Sequence, residues 1–169
     1  RSPPAHHPPM TIPPPIVVSR YATCALPCAL ANAALLKSTW ASTSHRTARP
    51  WTLCAWTVLG VAILLGAYWT YEQLGWGGDW AWDPGETGSL IPWLIGTAFV
   101  HALMAGQYCG MLKKSCIALA IAAFGMCNFA TFLTRSGIFS SLHAFSQSPI
   151  GWLFLGLMLL LGVGGAWLI

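Results

Sequence analysis

Five apolar stretches, each close to the length a helix needs to cross a lipid bilayer, occupy residues 16–36, 51–71, 90–112, 115–134 and 151–169. A spanning helix takes roughly 20 mostly apolar residues. The first stretch is the least uniform, because it contains Arg20 and Pro27 and follows a run of prolines. Charged residues make up 7% of the chain, against about 25% in a soluble domain, too few to clothe a water-facing surface. The expected fold is therefore all-α: a polytopic transmembrane helical bundle of about five spans with an extracytoplasmic Trp-rich loop. Residues 1–15 read as a Pro/His-rich N-terminal segment and 16–169 as the membrane domain, with the loop at about 72–93. The net charge of +4 comes from separated residues and not from one basic stripe, so the expected surroundings are a lipid membrane, with no nucleic acid.

Charge placement orients the spans. Lys37, Arg46 and Arg49 lie in the first connection, and Lys113 and Lys114 in the third. All four acids, Glu72, Asp79, Asp83 and Glu86, lie in the second. Basic residues in short connections favour the cytoplasmic or matrix side. The second connection, the segment 135–150 and the amino terminus are thereby expected on the outer side together. His45 falls on the inner side. The six cysteines, Cys24, Cys28, Cys54, Cys109, Cys116 and Cys127, form no CxxC pair and no CxxCH. Cys24 and Cys28, four apart inside an apolar run, read as small buried hydrophobes, and no disulfide or zinc site is assigned.

The second connection is the unusual part. Five of the ten tryptophans fall between Trp69 and Trp93. An aromatic belt at the headgroup level accounts for one or two rings at each helix end. Trp76, Trp80 and Trp82, interleaved with Gly75, Gly77, Gly78, Gly85 and Gly88, ask for something more. Glycines let backbone approach a flat partner, and indoles offer stacking area at little rotamer cost. The pattern suits a platform for a large planar molecule at the membrane surface.

The run from Trp76 to Glu86, followed by Ser89, Pro92-Trp93-Leu94 and His101, resembles the tryptophan-rich "WWD" signature of haem-handling proteins. It is similar in particular to that of the CcmF family of cytochrome c maturation proteins, with its W-G-x-x-W-x-W-D-P-x-E. A second segment, Thr131-Phe132-Leu133-Thr134-Arg135-Ser136-Gly137 through His143-Ala144-Phe145, resembles the same family's T-F-L-x-R-S-G-x-x-x-x-x-H-x-F. The resemblance covers about 13–152, a central portion of the longer bacterial family members.

The resemblance implies that Trp76, Trp80, Trp82 and Asp83 form a docking surface for exogenous haem, with His143 on the iron and Arg135 near a propionate. A lipid-headgroup contact is the competing role for Arg135. His101, about eleven residues into its span and so roughly 16 Å along the helix, matches an axial ligand of an embedded haem b. Its competing role is a histidine bonded to a neighbouring helix. The family's second embedded ligand lies beyond the end of this sequence, so another subunit would supply it. The family also places a histidine in an H-P-P segment ahead of the first span. His7-Pro8-Pro9 fits locally, whereas counting back without gaps puts Pro13 at that position.

By resemblance the function is haem presentation within a cytochrome c haem lyase. Haem would arrive on the haem chaperone CcmE, and the thiol-handling subunit CcmH would bring apocytochrome c. Other pieces of a split CcmF would complete the fold. The rival reading is a structural membrane subunit of a respiratory or biogenesis complex that has lost haem handling. A short piece of a long family member suggests a split gene, and hence a mitochondrial inner membrane with the loop in the intermembrane space. The alternative is a bacterial plasma membrane with the loop in the periplasm.

Overall fold

Backbone that leaves water must bond to itself, and a continuous apolar run does so by closing helical turns. The computed structural model describes residues 13–37, 42–73, 80–109, 112–138 and 149–169. Its five helices are α1 (Pro13–Leu36), α2 (Ser42–Gln73), α3 (Pro84–Cys109), α4 (Lys113–Arg135) and α5 (Ile150–Leu168). No strand occurs among the described residues. Four helices are long and apolar enough to cross a membrane: Arg46–Tyr71, Pro84–Tyr108, Lys113–Arg135 and Ile150–Trp167. With 24 residues, α1 reaches about 36 Å. It is more polar, carrying Arg20, Pro27 and Asn32, yet it packs into the same bundle.

The helices extend past the apolar runs at their amino-terminal ends. Pro13 and Pro84 each open a helix, the position where a missing N–H costs nothing and a fixed φ is already helical. Arg46 and Arg49, expected in a connection, lie instead in the first turns of α2. Their charges remain exposed, so the helix continues without burying them.

Consecutive helices run antiparallel. Helices α1, α2, α3 and α4 pack in a closed ring, and α5 lies against the far side of α4. The centre is α4: 56% of its most apolar window is buried, against 11% for α5. Small side chains make this enclosure possible. One cluster, towards the end where Arg49 Nη1 donates to Gln107 Oε1 at 3.2 Å, joins Cys28, Ala31, Ala48, Phe99, Leu103, Cys116 and Ala120. A second, towards the tryptophan end, joins Cys24, Ala55, Leu59 and Cys127, with Tyr21, Trp93 and Phe124 against it. The reading of Cys24 and Cys28 as small core residues is what the structure shows; Cys116 and Cys127 are buried likewise, whereas Cys54 is exposed.

Polar side chains inside the spans largely bond back to their own helix. Thr52 donates to the Ala48 carbonyl at 2.9 Å, Thr70 to Gly66 at 2.9 Å, and Thr131 to Cys127 at 3.0 Å. Asn128 Nδ2 donates to the Phe124 carbonyl at 2.8 Å. Such back-bonds remove the cost of an unsatisfied group in a low dielectric, about 1–3 kcal/mol each.

The seam between α3 and α4 depends on Gly88. A Cβ there would lie 2.8 Å from the Ala130 Cβ and 3.2 Å from the Ala130 Cα, closer than two methyl groups tolerate. Gly88→Ala is expected to destabilise the bundle by about 1–3 kcal/mol, the usual range for overpacking. Adding Ala130→Gly should recover most of it. Thermal unfolding in detergent checks both variants, and an unaffected single variant would mean the seam yields.

Candidate functional site

The chain enters α3 through a reciprocal cap. Asp83 stands just before the first helical residue, and its Oδ1 accepts the Glu86 N–H at 2.8 Å. Glu86 reaches back, with Oε2 accepting the Ala81 N–H at 2.8 Å. The Asp83 carbonyl accepts the Thr87 N–H at 2.9 Å and starts the helical ladder. Asp-Pro-Gly-Glu thus works as a widened capping box, its glutamate reaching two residues before the N-cap, with proline at the first helical position. The negative carboxylates also suit the positive end of the helix dipole.

Between the two capping bonds lies Trp82, with φ 57°. A non-glycine residue in the left-handed region costs roughly 1–2 kcal/mol, and the bonds on either side hold it there. The result is an indole 71% exposed, projecting from the bundle end. Trp80 meets it edge to face, with ring centroids 5.8 Å apart and an interplanar angle of 84°. The Trp80 Nε1 is buried and finds no partner among the described residues. One indole is thus anchored and the other presented.

The same end gathers three further features. Tyr21 on α1 meets Ser89 on α3, hydroxyl to hydroxyl at 3.4 Å. Arg20 donates from Nη2 to the Tyr21 hydroxyl at 3.2 Å, and its guanidinium lies 4.5 Å from the Tyr21 ring centroid. Arg135 ends α4 and is exposed. There α5 begins so close that a Cβ on Gly151 would stand 2.9 Å from the Ser136 nitrogen. Phe132 and Trp152 seal the α4–α5 contact edge to face at 5.3 Å. The connection that carries His143 therefore leaves from and returns to the end of the bundle where Trp82 projects. Trp76, His143 and His7 lie outside the described residues.

His101 sits on an exposed face of α3. Its Nδ1 is 2.8 Å from the Thr97 carbonyl. A carbonyl only accepts, so Nδ1 carries a proton and donates it. That leaves Nε2 as the ring nitrogen through which a haem iron would be held, with Nδ1 oriented by a carbonyl. The sequence expectation placed it midway along a span. In the structure it lies eight residues from the end of α3 at Cys109, about 12 Å, because α3 ends before residue 112. The space among α1–α4, lined by Cys24, Thr52, Trp56, Trp93 and Phe99, is about 20 Å³. That is room for one water, far too little for a porphyrin. Among the described residues no group of three His, Cys, Asp or Glu side chains could hold a bare metal ion.

Two contributions go beyond the sequence reading. The Asp83–Glu86 cap is signalled by Asp, then Pro, then Glu at the right offsets. Arg20, an interruption in an apolar run, is in the structure a partner of Tyr21.

The fold and this site define a multi-pass helical membrane protein with a tryptophan-rich motif held at one end of the bundle. Residues 2–143 match the family described as cytochrome C assembly protein, and the chain belongs to that family. It is 45% identical to the cytochrome c-type biogenesis protein CcmF of Pseudomonas aeruginosa, over 90% of this chain and 23% of that protein. It is 42% identical to CcmF of Escherichia coli K12, over 92% of this chain and 24% of that protein. A solved structure, "Cytochrome c Heme Lyase CcmF", superposes with a TM-score of 0.80 at 37% identity, covering 96% of this chain and 26% of the other. The chain thus spans about a quarter of the length of the relatives it matches.

Removing the cap tests the site's construction. Asp83→Ala is expected to cost about 1 kcal/mol and to speed hydrogen–deuterium exchange across 81–87. Asp83→Asn, which keeps a capping oxygen, should stay near wild type. Equal exchange in all three proteins would show that something else holds Trp82.

Proposed function

We propose that this chain presents haem for covalent attachment to apocytochrome c, as part of a cytochrome c haem lyase. The observation that carries the reading is the capped, left-handed Trp82 beside Trp80, projecting where the α4 and α5 ends meet. A preset aromatic surface binds a flat ligand without first having to order itself. The family name and the CcmF relatives support the same reading.

In this reading Trp82 takes the porphyrin face together with Trp76, and Trp80 completes the haem-binding surface by backing Trp82 edge to face. Asp83 acts through the cap and holds Trp82 in place. His143 ligates the exogenous haem iron, and Arg135 meets a propionate as a charge-assisted pair. Haem is here the substrate: its vinyl groups accept the apocytochrome thiols, each S–H adding across one C=C with no net oxidation. The chain's own residues orient the ring and exclude water. His101 would hold an embedded haem b through Nε2, with its second ligand from outside this chain. The haem chaperone CcmE, the thiol-handling subunit CcmH and further CcmF segments are the partners this implies. The relatives named above are bacterial, which favours a plasma membrane over the mitochondrial inner membrane; in either, the tryptophan loop would face outward.

One observation favours a second reading. Pro13 opens α1 at the position where gapless counting expects the family's histidine, so the chain would capture haem with one imidazole unless His7 loops back. A structural subunit without haem handling is then the alternative. Haem analysis of the membrane-extracted complex separates the two. A Soret band that falls in His143→Ala together with cytochrome c maturation supports presentation. No Soret band in wild type, or unchanged haem and maturation in the variant, supports the structural subunit. His101→Ala should remove any b-type spectrum while leaving the fold intact.

A further inference from the structure

The imidazole of His101 is aimed by a bond to a backbone carbonyl that any helix could offer. What is particular here is how that turn of α3 is fixed. Thr97 makes three contacts at once. Its carbonyl takes the His101 ring at 2.8 Å. Its hydroxyl accepts the Trp56 Nε1–H from α2 at 2.8 Å. The same hydroxyl donates to the Trp93 carbonyl at 2.9 Å. Trp56 is held in turn by stacking on Trp93, with centroids 5.4 Å apart and planes 20° from parallel. Trp56 also lies beside Gly96, where a Cβ would stand at ordinary contact distance, 3.6 Å from the Trp56 Cδ1.

This bond is distinctive in its setting. The indole nitrogens of Trp69, Trp80 and Trp93 are buried without a partner among the described residues, whereas that of Trp56 is spent on Thr97. Most hydroxyls in the spans bond only within their own helix, while Thr97 also ties α3 to α2. A histidine's outer torsion is broad and roughly two-fold, so the Nδ1 bond selects the ring plane. Groups in such outer positions set both the orientation and the basicity of a ligating imidazole.

We infer that Trp56 and Thr97 are positioning residues for His101: their indole–hydroxyl bond pins the turn whose carbonyl fixes the ring's tautomer and plane. The inference rests on the reading of His101 as a haem ligand and adds the pair that sets its geometry. Trp56 and Thr97 do not touch the haem. They hold the turn that aims the ligand.

The test uses the assembled complex in detergent, with four variants: Trp56→Phe, Thr97→Val, Thr97→Ser and the double Trp56→Phe/Thr97→Val. The readouts are the low-temperature electron paramagnetic resonance spectrum of the ferric haem b, its midpoint potential, and haem loss to a scavenging apoprotein. Trp56→Phe and Thr97→Val should each keep haem but shift the spectrum and the potential. Each should speed haem loss about ten-fold, the lower end for outer-sphere groups. Thr97→Ser, which keeps the hydroxyl, should behave as wild type. The double variant should be no worse than either single, the signature of a shared interaction. A purely structural contact would lower thermal stability and leave the spectrum and potential of the folded fraction unmoved, and that result overturns the inference with the haem reading intact. No haem b in wild type, or a b-type spectrum that survives His101→Ala, overturns the haem reading and this inference with it.

Discussion

The approach of α3 to α4 at Gly88 and Ala130 sets the register on which the tryptophan end depends. Where two helices meet through a missing side chain, the offset between them is fixed by shape, and a shift of even one residue brings larger groups into contact. That offset puts the start of α3 beside the last turns of α4. The capping box, the projecting indole, Arg135 and the two ends of the α4–α5 connection follow from it. A bilayer also removes the hydrophobic drive that holds soluble helices together, so close van der Waals contact carries more of the burden. The run of Ala120, Ala123, Gly125, Cys127 and Ala130 along α4 supplies that contact to three neighbours at once.

Against this tight frame, the polar contacts that cross between helices stand out. Thr52, Thr70, Thr131 and Asn128 satisfy themselves locally, which is the inexpensive solution in hydrocarbon. Tyr21 with Ser89, and Trp56 with Thr97, spend their bonds on another helix. The first pair lies just inside the end from which Trp82 projects, and the second lies one turn from His101. Cross-helix bonds fix relative position in a way that back-bonds cannot. Their location beside the two candidate haem sites is where positional accuracy has most value.

Much of this was legible in the sequence because lipid imposes so simple a rule. Apolar run length marks the helices, the acid and base distribution marks their alternation, and tryptophan density singles out one end of the bundle. Helix starts were less legible. Hydropathy marks where a chain is apolar, and α3 begins at Pro84 because Asp83 and Glu86 bond its first turn, which is a matter of polar geometry. The left-handed Trp82 has no sequence signature of its own, since tryptophan is rarely found there and only the flanking bonds make it tenable. Asp83 belongs to the haem-handling motif by resemblance, and only the structure adds that its Oδ1 accepts the Glu86 N–H. His101 was read as intramembrane from its position along the run. Which side of the helix it faces depends on how α2 and α4 pack, and no pattern in α3 alone decides that.

The outward orientation of His101 has a consequence for how a haem site of this kind is built. Leu94, Met104 and Tyr108 are also exposed on α3, at spacings of seven, three and seven residues from His101, so they share its face. On the reading proposed above, this apolar stripe with one imidazole in its middle is one wall of a cofactor cleft. The pocket enclosed by α1–α4, about 20 Å³, is far too small to be the other. This chain covers about a quarter of its relatives' length, and the same reading takes the facing wall and the second axial ligand from outside this chain. In such a division of labour, this bundle's rigidity is its contribution. It holds the His101 ring against the Thr97 carbonyl on one face of α3, and on the proposed reading a porphyrin clasped from the other side would meet an already aimed ligand.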